Sequence, residues 1–205
     1  MDDLTAFVLA GGKSTRMGSD KAFVSFRGQT LLDRALETVR ELTPEVLVVG
    51  ERSRFDGRAA VVEDVFRDRG PLGGIHAALS VTATELNLIV AVDLPFITVP
   101  LLRYLVIKAR ASSALAVVPR SEEGWQPLCA VYRQQFVTQA ERALLQGKNK
   151  IDALFHQLEV LPVLPAELNG HGFAVHSFRN LNTPADLEQA IRLRPPTSGK
   201  PAKLE

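Results

Sequence analysis

The stretch "VLAGGKSTRMGSDKA", residues 8–22, follows an apolar run with Gly11 and Gly12 and then sets Lys13, Arg16 and Lys21 around Gly18. Glycines directly after a first strand let the backbone turn tightly and bring N–H groups within reach of an anion. A lone Gly-Gly pair reads first as a tight turn; the cations are what make this an anion loop. Arg16 offers a planar fork suited to phosphate oxygens, Lys21 a flexible point charge, and Lys13 reads as solvated surface. Two common phosphate motifs are excluded by counting. A Walker A loop with Gly12, Lys13 and Ser14 requires a glycine at position 7, which is Phe7, and G-x-G-x-x-G finds no register.

Further along, Asp93 is the first charged residue after "NLIVAV" and is followed closely by Pro95. A carboxylate there suits magnesium, which prefers oxygen ligands, and equally suits the start of a turn. Asp64, at the end of "AVVED", reads as a pocket carboxylate or as the wet end of a strand. The turn "GPLGGI" at 70–75 places small residues at a helix start, where free N–H groups favour an anion. Its glycines read equally as packing positions. Trp125 reads as partly buried packing or as a stacking surface, and Asn182 as a polar contact or a capping residue. His76, His156, His171 and His176 lack metal-ligand spacing and read as core or surface histidines.

These side chains need a scaffold. Short apolar runs, "LTAFVLA", "EVLVVG", "AAVVED" and "NLIVAVD", alternate with the helical segments "TLLDRALETVREL" and "GGIHAALSVTA". Runs without period-two polarity predict a sheet buried on both faces, hence an α/β, doubly wound, mostly parallel architecture. In such sheets ligands bind beyond the carboxyl ends of the strands, where Gly11, Asp64 and Asp93 all fall. Next come a helix in "LLRYLVIKARA", strands in "ALAVVP" and "QPLCAVYR", and two helices divided near Gly147. A short strand "FAVHSF" and a last helix capped by Thr183 with Pro184 in its first turn complete the expectation.

The 205 residues, 46% hydrophobic, are enough for one core, expected over residues 1–194, with a disordered proline-rich tail over 195–205. A formal net charge of +1 gives no field for coating nucleic acid or an anionic membrane. The single cysteine, Cys129, permits no internal disulfide, and no run approaches the ~18 apolar residues of a membrane span, so a cytoplasmic location is expected.

With these motifs in view, the chain resembles the nucleotidyltransferases, most closely the molybdenum cofactor guanylyltransferases. The resemblance lies in "LAGGKSTRMGSDKA", "VVED" at 61–64, "GPLGGI", "VDLPF" at 92–96, "QPLCAVY" at 126–132 and "NLNTPADL" at 180–187, in that order and over most of the chain. It implies a Rossmann-like fold and magnesium-dependent transfer of GMP from GTP to molybdopterin with release of pyrophosphate. It also implies transient contact with other enzymes of molybdenum cofactor synthesis. By the same resemblance Leu9, Ala10, Gly11, Gly12, Lys21, Asp64 and Asp93 bind nucleotide. Arg16, Gly18, Gly70, Gly74, Gln126 and Asn182 bind substrate; Arg16, Lys21 and Asp93 are catalytic, with Asp93 on the metal. Related CTP-using enzymes carry an "LAAG" loop, so Gly12 favours guanine. Glu51 departs from the asparagine-containing turn of some guanylyltransferases and offers acceptors to guanine N1–H and the exocyclic amine. The alternatives are a cytidylyltransferase for the same cofactor, another small-molecule nucleotidylyltransferase, and a molybdopterin-binding delivery module without catalysis.

Overall fold

The computed structural model describes residues 3–11, 20–55 and 57–192. The first strand, β1 (Leu4–Leu9), sits in the middle of the main sheet. After it come a short hairpin of β2 (Ser25–Phe26) and β3 (Gln29–Thr30), then α1 (Leu31–Arg40) and β4 (Val46–Val49). The short α2 (Arg52–Phe55) and β5 (Ala60–Val62) lead into α3 (Pro71–Val81) and β6 (Leu86–Ala91). The second half holds α4 (Val99–Arg110), β7 (Ala116–Ser121), β8 (Gly124–Trp125), β9 (Cys129–Arg133), α5 (Phe136–Leu145) and α6 (Ile151–Phe155). It ends with β10 (Val160–Val163), α7 (Pro165–Gly170) and α8 (Pro184–Arg192).

Strand order is β10-β7-β9-β6-β1-β4-β5, with β8 paired to β7 at the side. β1 runs parallel to both β4 and β6, β4 to β5, and β10 to β7. β9 is the reversed strand, antiparallel to β6 and β7. Along β1, Ala6 and Val8 face a core built with Leu32 and Leu36 of α1 and Leu101 and Leu105 of α4. Phe7 faces the opposite core, with Leu72 and Ile75 of α3 and Phe136 and Ala140 of α5. Alternate residues of one strand therefore both need apolar partners, which is why these runs lack a polar face.

Helix starts follow local chemistry. Thr30 caps α1 by accepting the Asp33 N–H at 3.1 Å, and Gly70 opens α3 at φ 68°, followed by Pro71 in the first turn. The chain turns at Gly147, with φ 73°, between α5 and α6 as expected. "FAVHSF" differs from expectation: residues Val175–Phe178 form a 3-10 helix, not a strand. The sheet's outer strand beside β7 is β10, not anticipated from the sequence, whose "VLPV" pattern includes a proline suited to an edge. No helix among the described residues is long and apolar enough to cross a membrane. The tail over 195–205 lies outside the described residues.

Candidate functional site

The parallel register aligns the carboxyl ends of four strands. Ala10 N–H donates to the Val49 carbonyl at 2.9 Å, Gly50 N–H to Val62 at 2.9 Å and Val92 N–H to Leu9 at 3.0 Å. Gly11, Glu51, Asp64 and Asp93 thus share one edge. Because β9 is reversed, its amino end comes to the same edge: Cys129 pairs with Val90, and Ala91 N–H donates to Leu128 at 2.8 Å. Gln126, just before β9, lies towards this edge beside the end of β7, its N–H donating to the Pro119 carbonyl at 2.9 Å and its side-chain amide to Ser121 Oγ at 2.8 Å.

Three predicted residues meet directly. Lys21 Nζ donates to Asp93 Oδ2 at 2.8 Å and to Asn182 Oδ1 at 2.5 Å. The Lys21 and Asp93 side chains are 20% and 18% exposed, so water screens the pair only in part. Each member has a fixed root. Lys21 opens a 3-10 helix capped by Asp20, which is ion-paired with Arg54 of α2. Asn182 is held from both sides: the buried Leu181 donates its N–H to the Asp93 carbonyl at 3.0 Å, and Asp186 Oδ2 accepts the N–H groups of Asn182 and Thr183 at 3.0 and 2.8 Å. Thr183 Oγ1 accepts the Asp186 N–H in return at 3.1 Å, a reciprocal cap that holds the Asp186 carboxyl below its usual range.

Gly12, Lys13, Arg16 and Gly18 lie outside the described residues. Leu9 is half-buried, Ala10 buried and Gly11 exposed at the strand end. Asn182, expected on the molybdopterin side, shares the Lys21 ammonium with Asp93. Gly70 stays on the exposed rim, whereas Gly74 is buried, where an added Cβ would lie 3.1 Å from Leu9 Cδ2. Gly74 lets α3 pack closely on β1. Trp125 packs its edge on Phe155, and the Arg120 guanidinium lies 4.9 Å from its ring centroid. Glu51 is exposed and its Oε1 accepts the Ser53 hydroxyl at 3.0 Å. Buried Cys129 has its thiol pushed up by burial, which removes it as a nucleophile.

Asp64 Oδ1 accepts the Phe66 N–H at 2.8 Å, yet partial burial outweighs that bond and raises its carboxyl pKa. A raised folded pKa means that the native state binds more protons than the unfolded chain between the two pKa values. Stability is therefore lost as pH rises from the unfolded carboxyl value through the folded one. Asp64→Asn, which keeps the acceptor, is expected to melt higher than the parent at pH 7, with the advantage shrinking towards pH 4. Melting curves at the two pH values check this; a variant destabilised at pH 7 contradicts it.

Sequence reasoning missed three supports: Leu181, Asp186 and the Asp20–Arg54 pair. Asp186 carried a signal, since T-P-x-D is a helix-start pattern. The Asp20–Arg54 pair, 34 residues apart, had none.

The residues present suit a divalent cation. Asp93 Oδ2 and Asn182 Oδ1 are hard oxygen donors that already converge on one positive charge, the Lys21 ammonium.

Comparison with known proteins speaks to family and fold. The sequence profile of the MobA-like NTP transferase domain matches residues 6–161. The molybdenum cofactor guanylyltransferase of Desulfosudis oleivorans is 35% identical over 193 residues, covering 93% of this chain and 95% of that protein. A probable molybdenum cofactor guanylyltransferase of Pelotomaculum thermopropionicum is 34% identical over 188 residues, covering 91% of each chain. Among solved structures, molybdopterin-guanine dinucleotide biosynthesis protein A from Archaeoglobus fulgidus superposes with a TM-score of 0.80 at 28% identity, covering 91% of this chain and 96% of that one. The 4-diphosphocytidyl-2C-methyl-D-erythritol synthase of Anaerococcus prevotii, 15% identical with a TM-score of 0.66 over 92% of this chain and 94% of that one, shares the fold. A profile match over most of the chain, relatives matched over nearly their whole length and a shared fold lead to one conclusion: the chain belongs to the MobA-like NTP transferase family.

Proposed function

We propose that this protein transfers GMP from GTP to the terminal phosphate of molybdopterin, giving the guanine dinucleotide and pyrophosphate, in a magnesium-dependent reaction. The carrying observation is the Lys21, Asp93 and Asn182 cluster at the carboxyl edge of the sheet, in a chain whose relatives are named guanylyltransferases.

The attacking group is a phosphate monoester with a second pKa of about 6, already largely dianionic at neutral pH, so no general base is required. What opposes reaction is repulsion between two anions. Magnesium held by the oxygens of Asp93 and Asn182 would supply charge neutralisation at the α-phosphate. The Lys21 ammonium, on a flexible stem from a fixed helix, stabilises the departing pyrophosphate, with Arg16 as its partner in that role. Backbone N–H groups from Gly11 onward donate to the triphosphate oxygens, and Gly70 at the start of α3 and Gln126 before β9 serve the acceptor. Glu51, on the turn after β4, pairs with the guanine edge. Free GTP, molybdopterin and passing contact with other cofactor-synthesis enzymes are the partners of this reading, and a cytoplasmic setting fits an unpaired, buried Cys129.

The test is pyrophosphate release with GTP, CTP and ATP in turn, molybdopterin being present. GTP is expected to exceed the others in kcat/KM by at least about a hundredfold, the scale of discrimination when a base edge is read by paired hydrogen bonds. Preference for CTP overturns the guanine assignment, and binding without pyrophosphate release marks a delivery module.

A further inference from the structure

The cation position between Asp93 and Asn182 is filled by the chain itself, because two oxygens suited to a divalent ion hold the Lys21 ammonium at 2.8 and 2.5 Å. We propose that Lys21 is an internal counter-ion that couples metal binding to triphosphate binding. A metal arriving alone must displace the ammonium from both oxygens and leave it without an anion. A metal arriving with a nucleoside triphosphate brings the ammonium new anionic oxygens, so the exchange costs little. The inference rests on the assignment of this edge as the nucleotide site.

Which partner moves follows from how each is rooted. Asn182 is pinned by the Leu181 N–H to Asp93 carbonyl bond and by the Asp186 carboxylate, and Asp93 is pinned through the same carbonyl. The backbone of Lys21 is pinned too, since Asp20 accepts the Ala22 N–H at 3.1 Å and is ion-paired with Arg54. Only the four-carbon stem of Lys21 is free to swing, and its compact ammonium pairs with phosphate oxygens as readily as with a carboxylate. At 20% and 18% exposure, water screens a second positive charge beside the ammonium poorly. Metal and triphosphate therefore raise each other's affinity, and by linkage the effect is equal in both directions.

Manganese provides a probe that reports binding without turnover. Free Mn2+ is followed by electron paramagnetic resonance in titrations of the full chain, with and without GTP, for the parent, Lys21→Met and Lys21→Gln. The site affinity is the part lost in Asp93→Asn, and melting curves confirm folding of each variant. Without nucleotide, both Lys21 variants are expected to bind Mn2+ about tenfold tighter than the parent, a coupling of about 1.4 kcal/mol. The gain in Mn2+ affinity on adding GTP should shrink by the same factor. If the parent shows GTP-linked Mn2+ uptake but the Lys21 variants bind the metal alone no tighter, the coupling is overturned and the nucleotide site stands. If GTP brings the parent no gain in Mn2+ affinity, the site assignment falls as well.

Discussion

Asp93→Ala is expected to lower nucleotidyl transfer by roughly 10³-fold or more in kcat while leaving the fold intact, on the scale of removing one electrostatic element from a phosphoryl-transfer site. The carboxylate does two things at once. It is one of the two oxygens that converge on the cation position, and its turn carries the carbonyl on which Leu181 docks. Only the first is lost in the variant, because the docking bond uses the main chain. The melting temperature should therefore stay within a few degrees of the parent, which separates a chemical defect from unfolding. Asp93→Asn keeps the volume and one acceptor oxygen but removes the charge, and should fail nearly as badly. Pyrophosphate release at saturating GTP, molybdopterin and magnesium measures both. Turnover near the parent rate in either variant defeats the role assigned to this residue.

The second large effect falls on stability. In Gly73→Ala the new methyl carbon would lie 2.7 Å from Asp64 Oδ2 and 2.9 Å from the Phe66 carbonyl oxygen. The carbonyl belongs to backbone that Asp64 itself ties down through the Phe66 N–H, so the obstacle cannot simply rotate away. Overpacking of this kind costs about 1–3 kcal/mol, or roughly 5–10 °C at the upper end for a chain of this size. Activity should fall with it, since the methyl group pushes on a carboxylate of the ligand edge. Gly74→Ala is the comparison: its nearest obstacle, at 3.1 Å, is the end of the Leu9 side chain, which can give. A smaller loss is expected there. If thermal denaturation ranks the two the other way, Gly73 does not abut the Asp64 turn in solution as tightly as these distances require.

Much of this was legible in the sequence. The runs around Phe7, Val49 and Ile89 declared a sheet covered on both faces, because residues one apart along each run were all apolar. Asp64 and Asp93 were legible because each closes such a run with a carboxylate, and a parallel sheet puts those positions on one edge. What stayed hidden depended on pairings across long separations. "FAVHSF" has the composition of a strand, yet residues Val175–Phe178 close into a 3-10 turn with Phe178 buried in the core, a burial that composition does not distinguish from a strand's. Asn182 was found as a polar residue of interest, but its partner was not, since 161 residues separate it from Lys21. Gly73 and Gly74 looked alike in "GPLGGI"; only the direction of each absent side chain distinguishes the one against Asp64 from the one against Leu9.

That same span of 161 residues sets an order in time. On a ribosome adding ~5–20 residues per second, Lys21 emerges and then waits on the order of ten to thirty seconds for Asn182 to follow. No shorter nascent chain can assemble the grip on a cation. The cluster therefore completes all at once, only after Asn182 has been made, and a chain that has not yet reached Asn182 lacks the complete grip with which to trap nucleotide while it is still folding.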